Sequence, residues 1–207
     1  MMFYTAAEPI APNPQRVEIF LAEKRLDIPT TVLTLAKGEH KTSGHVARHP
    51  RGQVPALELD DGSVLTESIA ICRYLDALHP EPPLFGRDAL ERARVDMWTR
   101  RVELILMSPI GQFWQHAHQF TARLLTQYPD FGESNRERAA DAMRWFDGQL
   151  REGAWLATAD YTIADIVLLT TIDFAAFIGL PIPDDCATLT AWHARAKARP
   201  SAVRRSN

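Results

Sequence analysis

The chain has 207 residues, enough for one large domain or two small ones, and 23 Lys and Arg against 26 Asp and Glu give a net charge of −3. This balance excludes the strongly basic class of nucleic-acid-binding proteins, which need a positive surface for phosphates. Cys72 and Cys186 lie far apart with no metal-ligand spacing, which predicts a reducing cytoplasmic setting, no disulfide framework and no metal site. We also expect no targeting or membrane-spanning segment, because the most apolar stretch, 166–180, contains Asp173.

Strand and helix patterns alternate in the first part of the chain. Short alternating or β-branched runs predict strands, three- and four-residue apolar spacing predicts helices, and Asp60-Asp61-Gly62 predicts a hairpin turn. The predicted elements are strands 2–5, 30–35, 56–59 and 63–65, helices 13–25 and 67–78, and a polar irregular segment 37–49. This β-α-β, loop, β-β-α order indicates an α/β thioredoxin-like domain over residues 1–79.

A proline-rich segment, His79-Pro80-Glu81-Pro82-Pro83, interrupts this pattern and predicts a linker over residues 80–87, because proline cannot continue a helix. Later segments have helical spacing, which predicts an all-α domain over residues 88–207. The predicted helices cover 88–119, with a kink at Pro109, and then 133–151, 162–177 and 187–198.

The third of these helices begins with a variant of the capping box. Thr162 is expected to cap the first turn, and Asp165 is expected to reach back to the N–H of Thr162. Tyr161 and Ile166 flank the pair as a hydrophobic staple. We predict that Thr162 and Asp165 have a structural role.

A proline opens the strand-like run Gln53-Val54-Pro55-Ala56-Leu57-Glu58-Leu59. Proline removes a backbone donor and holds Val54 extended, so the main chain of Val54 is expected to pair outside its own sheet. We predict that the Val54–Pro55 bond is cis, because X-Pro bonds tolerate that isomer. Glu67 and Ser68 then open a helix whose free N–H groups and dipole favour a carboxylate, while Glu67 suits an ammonium. Together these features predict a small peptide ligand with a free amino-acid end.

This arrangement resembles the glutathione site of the glutathione S-transferase family. The resemblance covers nearly the whole chain and rests on segments 13–24, 37–41, 49–57 and 65–71 in this order and spacing. It is closest to bacterial members whose first helix opens with asparagine. It implies the family's architecture, a thioredoxin-like N-terminal domain and an all-helical C-terminal domain. It also implies glutathione as co-substrate without a metal, a small electrophile or a disulfide as the second partner, and a cytosolic homodimer.

The resemblance assigns each end of glutathione to particular residues. The γ-glutamyl end is expected at Glu67 and Ser68, the cysteinyl main chain at Val54 beside Pro55, and the glycyl carboxylate at His40, Lys41 and Gln53. His45 and His49 have no partner spacing and are not expected to be ligands. Candidates for a second-substrate pocket between the two halves are Met107, Gln112, Phe113, Trp114 and His116, and candidates for a dimer interface are Trp98, Arg100 and Arg101.

The residue that activates the thiol departs from the family pattern. Members of the family hold glutathione as a thiolate with a hydroxyl or thiol donor near the end of the first strand or the start of the first helix. Here that position is Ala11. Asn13, with neighbouring backbone N–H groups, and the Thr5 hydroxyl are the substitutes we expect. Asn13 before Pro14 is also typical of a helix N-cap, a role that is compatible with catalysis.

Several functions fit these features. The leading interpretation is a transferase that reacts glutathione thiolate with a small electrophile. A glutathione-dependent disulfide reductase or peroxidase needs the same thiolate but little apolar pocket. A non-catalytic glutathione-binding protein stays open because of Ala11, and a glutathione-assisted isomerase or dehalogenase is not separable by sequence.

Overall fold

The computed structural model describes residues 1–8, 10–150 and 154–202 and contains two compact units. The first unit comprises Met1–Leu84 together with Pro200–Ala202, and the second comprises Phe85–Arg199. The sequence-based boundaries differ from this division at the C-terminal end. We predicted that residues 88–207 form one helical domain, whereas Pro200–Ala202 contacts the first helix of the first unit.

Four strands form one mixed sheet in the first unit: β1 (Met2–Ala6), β2 (Thr30–Leu33), β3 (Ala56–Glu58) and β4 (Val64–Thr66). Their order is β2-β1-β3-β4, with β2 parallel to β1 and β3 antiparallel to both β1 and β4. The register pairs Ala6 with Leu33, Tyr4 with Ala56, and Ala56 with Thr66. The C-terminal ends of β1, β2 and β4 therefore meet the N-terminal end of β3 at one edge of the sheet.

The first unit also contains the helices α1 (Pro12–Lys24), α2 (Ser43–Val46) and α3 (Ser68–Leu78). Helices α1 and α3 pack against each other and against the sheet. They bury an apolar core that includes Val17, Phe20, Ile71, Cys72 and Leu75. The predicted thioredoxin-like α/β fold is confirmed.

Helix α1 begins one residue earlier than predicted. Its N-cap is Ala11, which makes no side-chain capping bond, and Pro12 is the first helical residue. Asn13 is thus the second residue of the helix and not its cap, which corrects the capping role inferred from the sequence. Proline suits the first helical position because its φ is already helical and its missing N–H would have no partner inside the helix.

The second unit is helical, with α4 (Ala89–Arg101), α5 (Ser108–His116), α6 (Pro129–Gln149), α7 (Ile163–Phe177) and α8 (Ala187–Lys197). A π-helical segment, Val102–Met107, joins α4 to α5, so the long helix predicted over 88–119 is divided. Pro109 has no N–H for the carbonyl of Ile105, which explains why the hydrogen-bond ladder changes at this point. Among the described residues, no helix is both long and apolar enough to cross a lipid bilayer.

The capping box at the start of α7 is confirmed. The buried carboxylate of Asp165 accepts hydrogen bonds from the Thr162 N–H (2.9 Å) and the Thr162 hydroxyl (3.0 Å). It also accepts bonds from the Leu156 N–H (2.8 Å) and the Trp192 indole (3.3 Å). Burial raises the pKa of Asp165 to about 6, although these donors act to lower it. One side chain therefore joins the loop before α7, the first turn of α7 and helix α8.

Candidate functional site

The edge of the sheet where four strand ends meet brings the predicted glutathione-binding residues together. The segment leading to Asn13 follows β1, the loop containing His40 and Lys41 follows β2, and Glu67 follows β4. Because Ala56 pairs with Thr66 in antiparallel register, Val54 and Ser68 extend from the same end of this strand pair. These residues are distant in the sequence and become neighbours only through the strand order.

Val54 presents its main chain as the sequence predicted. The Val54–Pro55 bond is cis, and the Val54 side chain is buried with 9% exposure. Within the described part of the chain, the N–H and C=O of Val54 have no backbone partner. Because β3 begins only at Ala56, these two groups lie beyond the ladder and suit a peptide main chain that adds to the sheet edge.

Glu67 and Ser68 stand at the start of α3. Glu67 is the N-cap and has φ 68° and ψ 116°, a conformation that non-glycine residues rarely adopt. Such conformations cluster at binding sites, where the surrounding structure imposes them. Ser68 is buried with 6% exposure, and none of the described residues forms a hydrogen bond with its hydroxyl. The first turn of α3 thus offers backbone N–H groups and one hydroxyl to a carboxylate.

His45, which we did not expect to contribute, fixes the segment before Val54. Its buried ring lies on α2, and its Nε2 is 2.6 Å from the carbonyl oxygen of Gln53, so Nε2 carries the donated proton. The ring lies 6.0 Å from the Tyr4 ring and 6.4 Å from the His49 ring, measured between centroids. No sequence pattern indicated this role, because the partner of His45 is a backbone carbonyl.

Gly52 allows the loop of His40 and Lys41 to approach this segment. Its φ is +56°, and a Cβ at this position would lie 2.9 Å from the carbonyl oxygen of His40 and 3.0 Å from the Lys41 Cδ. A side chain would therefore push the loop away from Gln53 and Val54. The sequence pattern around Gly52 did not reveal this contact, because the two segments meet only in the tertiary structure.

The polar groups of the loop have distinct environments. Burial lowers the pKa of His40, and the charges of Lys41 and His45 lower it further, whereas Glu8 acts to raise it. The Nδ1 of His40 is buried without a hydrogen-bond partner in the described part of the protein. The exposed Lys41 donates its Nζ to the carbonyl oxygen of Arg51 at 3.0 Å, and Gln53 is exposed. Across the described ranges, no group of three or more His, Cys, Asp or Glu side chains suits a metal ion.

Of the two proposed thiol donors, only Asn13 has an available side chain. Thr5 is 2% exposed and its hydroxyl donates to Glu18 Oε1 at 2.5 Å, so we do not retain it as a donor. The Tyr4 hydroxyl likewise donates to Glu58, at 2.8 Å. Asn13 is exposed in the first turn of α1. Because Pro12 and Pro14 lack N–H groups, the backbone donors expected beside Asn13 reduce to its own N–H.

The candidates for the second-substrate pocket differ in accessibility. Phe113 is 3% exposed, and its ring centroid lies 4.5 Å from the guanidinium carbon of Arg136, so it packs in the interior of the second unit. Met107 and Gln112 are half-buried. Trp114 packs against His118 at 4.6 Å, Phe120 at 5.5 Å and Phe174 at 5.6 Å, and His116 lies 5.5 Å from each of Tyr128 and Phe131.

Two of the dimer-interface candidates, Trp98 and Arg101, form contacts within the second unit. The Arg101 guanidinium lies 4.6 Å from the Trp98 ring and 5.8 Å from the Trp145 ring, and the two indoles are 5.9 Å apart. These contacts connect α4 to α6. Of the three candidates, Arg100 is exposed, whereas Trp98 and Arg101 are half-buried.

Comparison with known proteins identifies the family. Residues 10–78 match the glutathione S-transferase N-terminal domain, and residues 113–200 match the C-terminal domain. Glutathione S-transferase 2 of Saccharomyces cerevisiae is 38% identical over 200 residues, covering 93% of this chain and 84% of the relative. Maleylacetoacetate isomerase of Pseudomonas aeruginosa is 43% identical over 81 residues, 38% of each chain. The crystal structure of a glutathione S-transferase domain-containing protein from Marinobacter aquaeolei VT8 is 35% identical, with a TM-score of 0.89 over 98% of this chain and 100% of that chain. This chain therefore belongs to the glutathione S-transferase family.

Proposed function

We propose that this protein is a glutathione transferase that reacts glutathione thiolate with a small electrophile, as in detoxification. The observation that carries the proposal is the main chain of Val54, which has no backbone partner among the described residues and lies beside the first turn of α3. The cysteinyl main chain of glutathione pairs with the N–H and C=O of Val54. The γ-glutamyl carboxylate accepts hydrogen bonds from Ser68 and the first turn of α3, and the γ-glutamyl ammonium pairs with Glu67. The names of the relatives support this assignment.

The glycyl carboxylate, at the other end of the peptide, binds to the loop that contains His40 and Lys41. His40 and Lys41 supply cationic or hydrogen-bonding groups, and the exposed Gln53 amide supplies a neutral donor. Pro55, which is buried, keeps Val54 outside the ladder of β3 because it provides no N–H. The three parts of glutathione thus lie along the edge where the strand ends meet.

We assign thiol activation to Asn13. Its side-chain amide donates a hydrogen bond to the sulfur, and this bond favours the thiolate over the thiol. The pKa of the bound thiol then falls below the ordinary value of about 8.5, which raises the fraction of reactive thiolate at neutral pH.

The ultraviolet absorbance of bound glutathione thiolate as a function of pH tests the proposal. We expect Asn13→Ala to raise the thiol pKa and to reduce turnover of an aryl halide, with glutathione affinity nearly unchanged, because a donor to sulfur acts mainly on the ionised form. Asn13→Ser is the matched control and should retain part of the shift. Since Ala11 caps α1, neither change removes a cap. Full turnover and an unshifted thiol pKa in Asn13→Ala would move activation to the backbone.

A non-catalytic glutathione-binding protein is the second candidate. Ala11 at the family's donor position and the hydrogen bonds that occupy the Thr5 and Tyr4 hydroxyls favour it. Such a protein binds glutathione but leaves the pKa of its thiol at the free value. The same absorbance titration therefore separates a transferase from a binding protein without knowledge of the electrophile.

We further propose that the protein is a cytoplasmic homodimer. Leu90, Met97 and Leu104 are exposed on α4 and the π-helical segment at seven-residue intervals. Apolar side chains at this spacing recur on one helix face and suit a second copy of the chain. The cytoplasmic location is supported by the two buried free thiols, Cys72 and Cys186.

A further inference from the structure

Glu8, in the segment between β1 and α1, caps a distant turn. Its Oε2 accepts a hydrogen bond from the N–H of Leu35 at 3.1 Å, and its Oε1 accepts one from the N–H of Ala36 at 3.0 Å. These residues begin the 3-10 turn Leu35–Lys37, whose N-cap, Thr34, provides no side-chain bond. Burial is the largest single influence and opposes ionisation of Glu8, but the backbone hydrogen bonds together with the charge of His40 outweigh it, so the pKa of the carboxyl is lowered. Both oxygens of the carboxylate are therefore used in holding this turn.

A chain of hydrogen bonds leads from Glu8 to the loop assigned to the glycyl carboxylate. The carbonyl oxygen of Leu35 accepts from the Gly38 N–H at 2.9 Å, and the carbonyl oxygen of Gly38 accepts from the Lys41 N–H at 2.8 Å. Gly38 has φ +71° and directs the chain into the next turn, Glu39–Lys41, which carries His40 and Lys41. The placement of both side chains thus depends on the turn that Glu8 caps.

We propose that Glu8 is a positioning residue for the glycyl end of glutathione. It connects the segment that leads to Asn13 with the loop that carries His40 and Lys41, so that the thiol-activating and carboxylate-binding parts of the site keep a fixed separation. The inference rests on the proposed glutathione site. In this role Glu8 does not contact the ligand; it acts through the backbone of residues 35–41 and through its charge near His40.

Glu8→Gln tests this role because the amide keeps the size of the side chain but has one acceptor oxygen for two backbone donors. Titration calorimetry compares glutathione with γ-glutamylcysteine, which lacks the glycyl residue. We expect Glu8→Gln to weaken glutathione binding by about tenfold, the loss typical of one hydrogen bond to a charged group. The affinity for γ-glutamylcysteine should stay unchanged. Glu81→Gln, an exposed carboxylate in the linker, is the control and should alter neither affinity.

A double-mutant cycle on glutathione affinity distinguishes this role from a general loss of stability. In a His40→Ala, Lys41→Ala background, Glu8→Gln should no longer change glutathione affinity, since the groups through which it acts are absent. Equal losses for both peptides, or no loss for either, would overturn the role of Glu8. If the unaltered protein binds neither peptide, the proposed function itself fails. Thermal unfolding checks the variants, and Glu8→Asp, which keeps the charge with a shorter reach, replaces Glu8→Gln if that variant does not fold.

Discussion

Two adjacent residues, Glu67 and Ser68, set the orientation of the proposed peptide ligand in the candidate site. Ser68 contributes a hydroxyl at the positive end of α3, whereas Glu67 contributes a negative charge one residue earlier, in a backbone conformation that few side chains tolerate. A ligand group with a carboxylate and an ammonium on one carbon satisfies both. We therefore expect the site to distinguish the γ-glutamyl end of a peptide from an ordinary carboxylate.

Substitution of either residue should weaken glutathione binding. We expect Ser68→Ala and Glu67→Gln each to reduce affinity by about ten- to a hundredfold, because each removes a hydrogen bond or ion pair to a charged group, worth about 1.5–3 kcal/mol. Isothermal titration calorimetry measures the effect. Ser134→Ala, an exposed serine of α6, serves as the control. Affinities within error of the unaltered protein for both variants would show that the site lies elsewhere.

His40 should make ligand affinity depend on pH. Because its pKa is lowered in the free protein, its contribution to stability is present above the ordinary value of 6.5 and is lost as the pH falls through the folded value. A bound glycyl carboxylate favours the protonated ring and raises that pKa again, so binding takes up a proton. We expect S-methylglutathione to bind more tightly as the pH falls from 8 to about 6. The blocked sulfur removes the titration of the thiol.

His40→Asn is the matched variant for this titration, because it retains a polar side chain that does not ionise. Its affinity for S-methylglutathione should be nearly flat over the same pH range. An unchanged slope in this variant would assign the proton uptake to another group, such as His49, whose pKa is also lowered by burial.

At the scale of the element, the start of α7 depends on a single carboxylate. Asp165 accepts two backbone N–H groups, the Thr162 hydroxyl and the Trp192 indole in a site without solvent exposure. Loss of the carboxylate leaves buried donors without partners and separates α8 from the first turn of α7. This interaction stabilises the second unit.

We therefore expect Asp165→Ala to destabilise the protein by roughly 3 kcal/mol or more, since each buried donor left unpaired costs about 1–3 kcal/mol. Urea denaturation of the purified variant measures this change, and a lower folded yield should accompany it. Asp184→Ala, an exposed aspartate before α8, should change stability by less than about 0.5 kcal/mol. An Asp165→Ala variant with unchanged stability would refute the structural role.

At the scale of the whole molecule, the exposed stripe on α4 predicts self-association. Leu104 is 69% exposed, Leu90 is 60% exposed, and both lie at seven-residue steps from Met97. We expect multi-angle light scattering at micromolar concentration to give the mass of a dimer. Leu90→Glu with Leu104→Glu should shift the mass towards the monomer, because charges in an apolar interface lose hydration. The paired changes Ala191→Glu and Ala194→Glu, at exposed positions of α8, add the same charge away from this stripe and serve as the control. A monomeric unaltered protein would refute the dimer.

Most elements of the fold could be predicted from the sequence, because their type and order depend on local physics. Proline and glycine positions, apolar spacing and the Thr162–Asp165 capping pattern act over a few residues, so they predicted β1 to β4, α1 and α3, the capped start of α7 and the cis Val54–Pro55 bond. The position of Val54 near the first turn of α3 was also predictable, since a short hairpin joins the two segments.

The tertiary structure alone decided which side chains remain available. Thr5 and Phe113 were plausible site residues by type, yet both are engaged in other contacts. Thr5 donates a hydrogen bond to Glu18, 13 residues further along the chain. Phe113 of α5 packs against the guanidinium of Arg136 on α6. His45 and Glu8 carried no signal because their partners are backbone groups, which every residue possesses. Such contacts depend on strand order and loop packing, and local sequence patterns do not encode them.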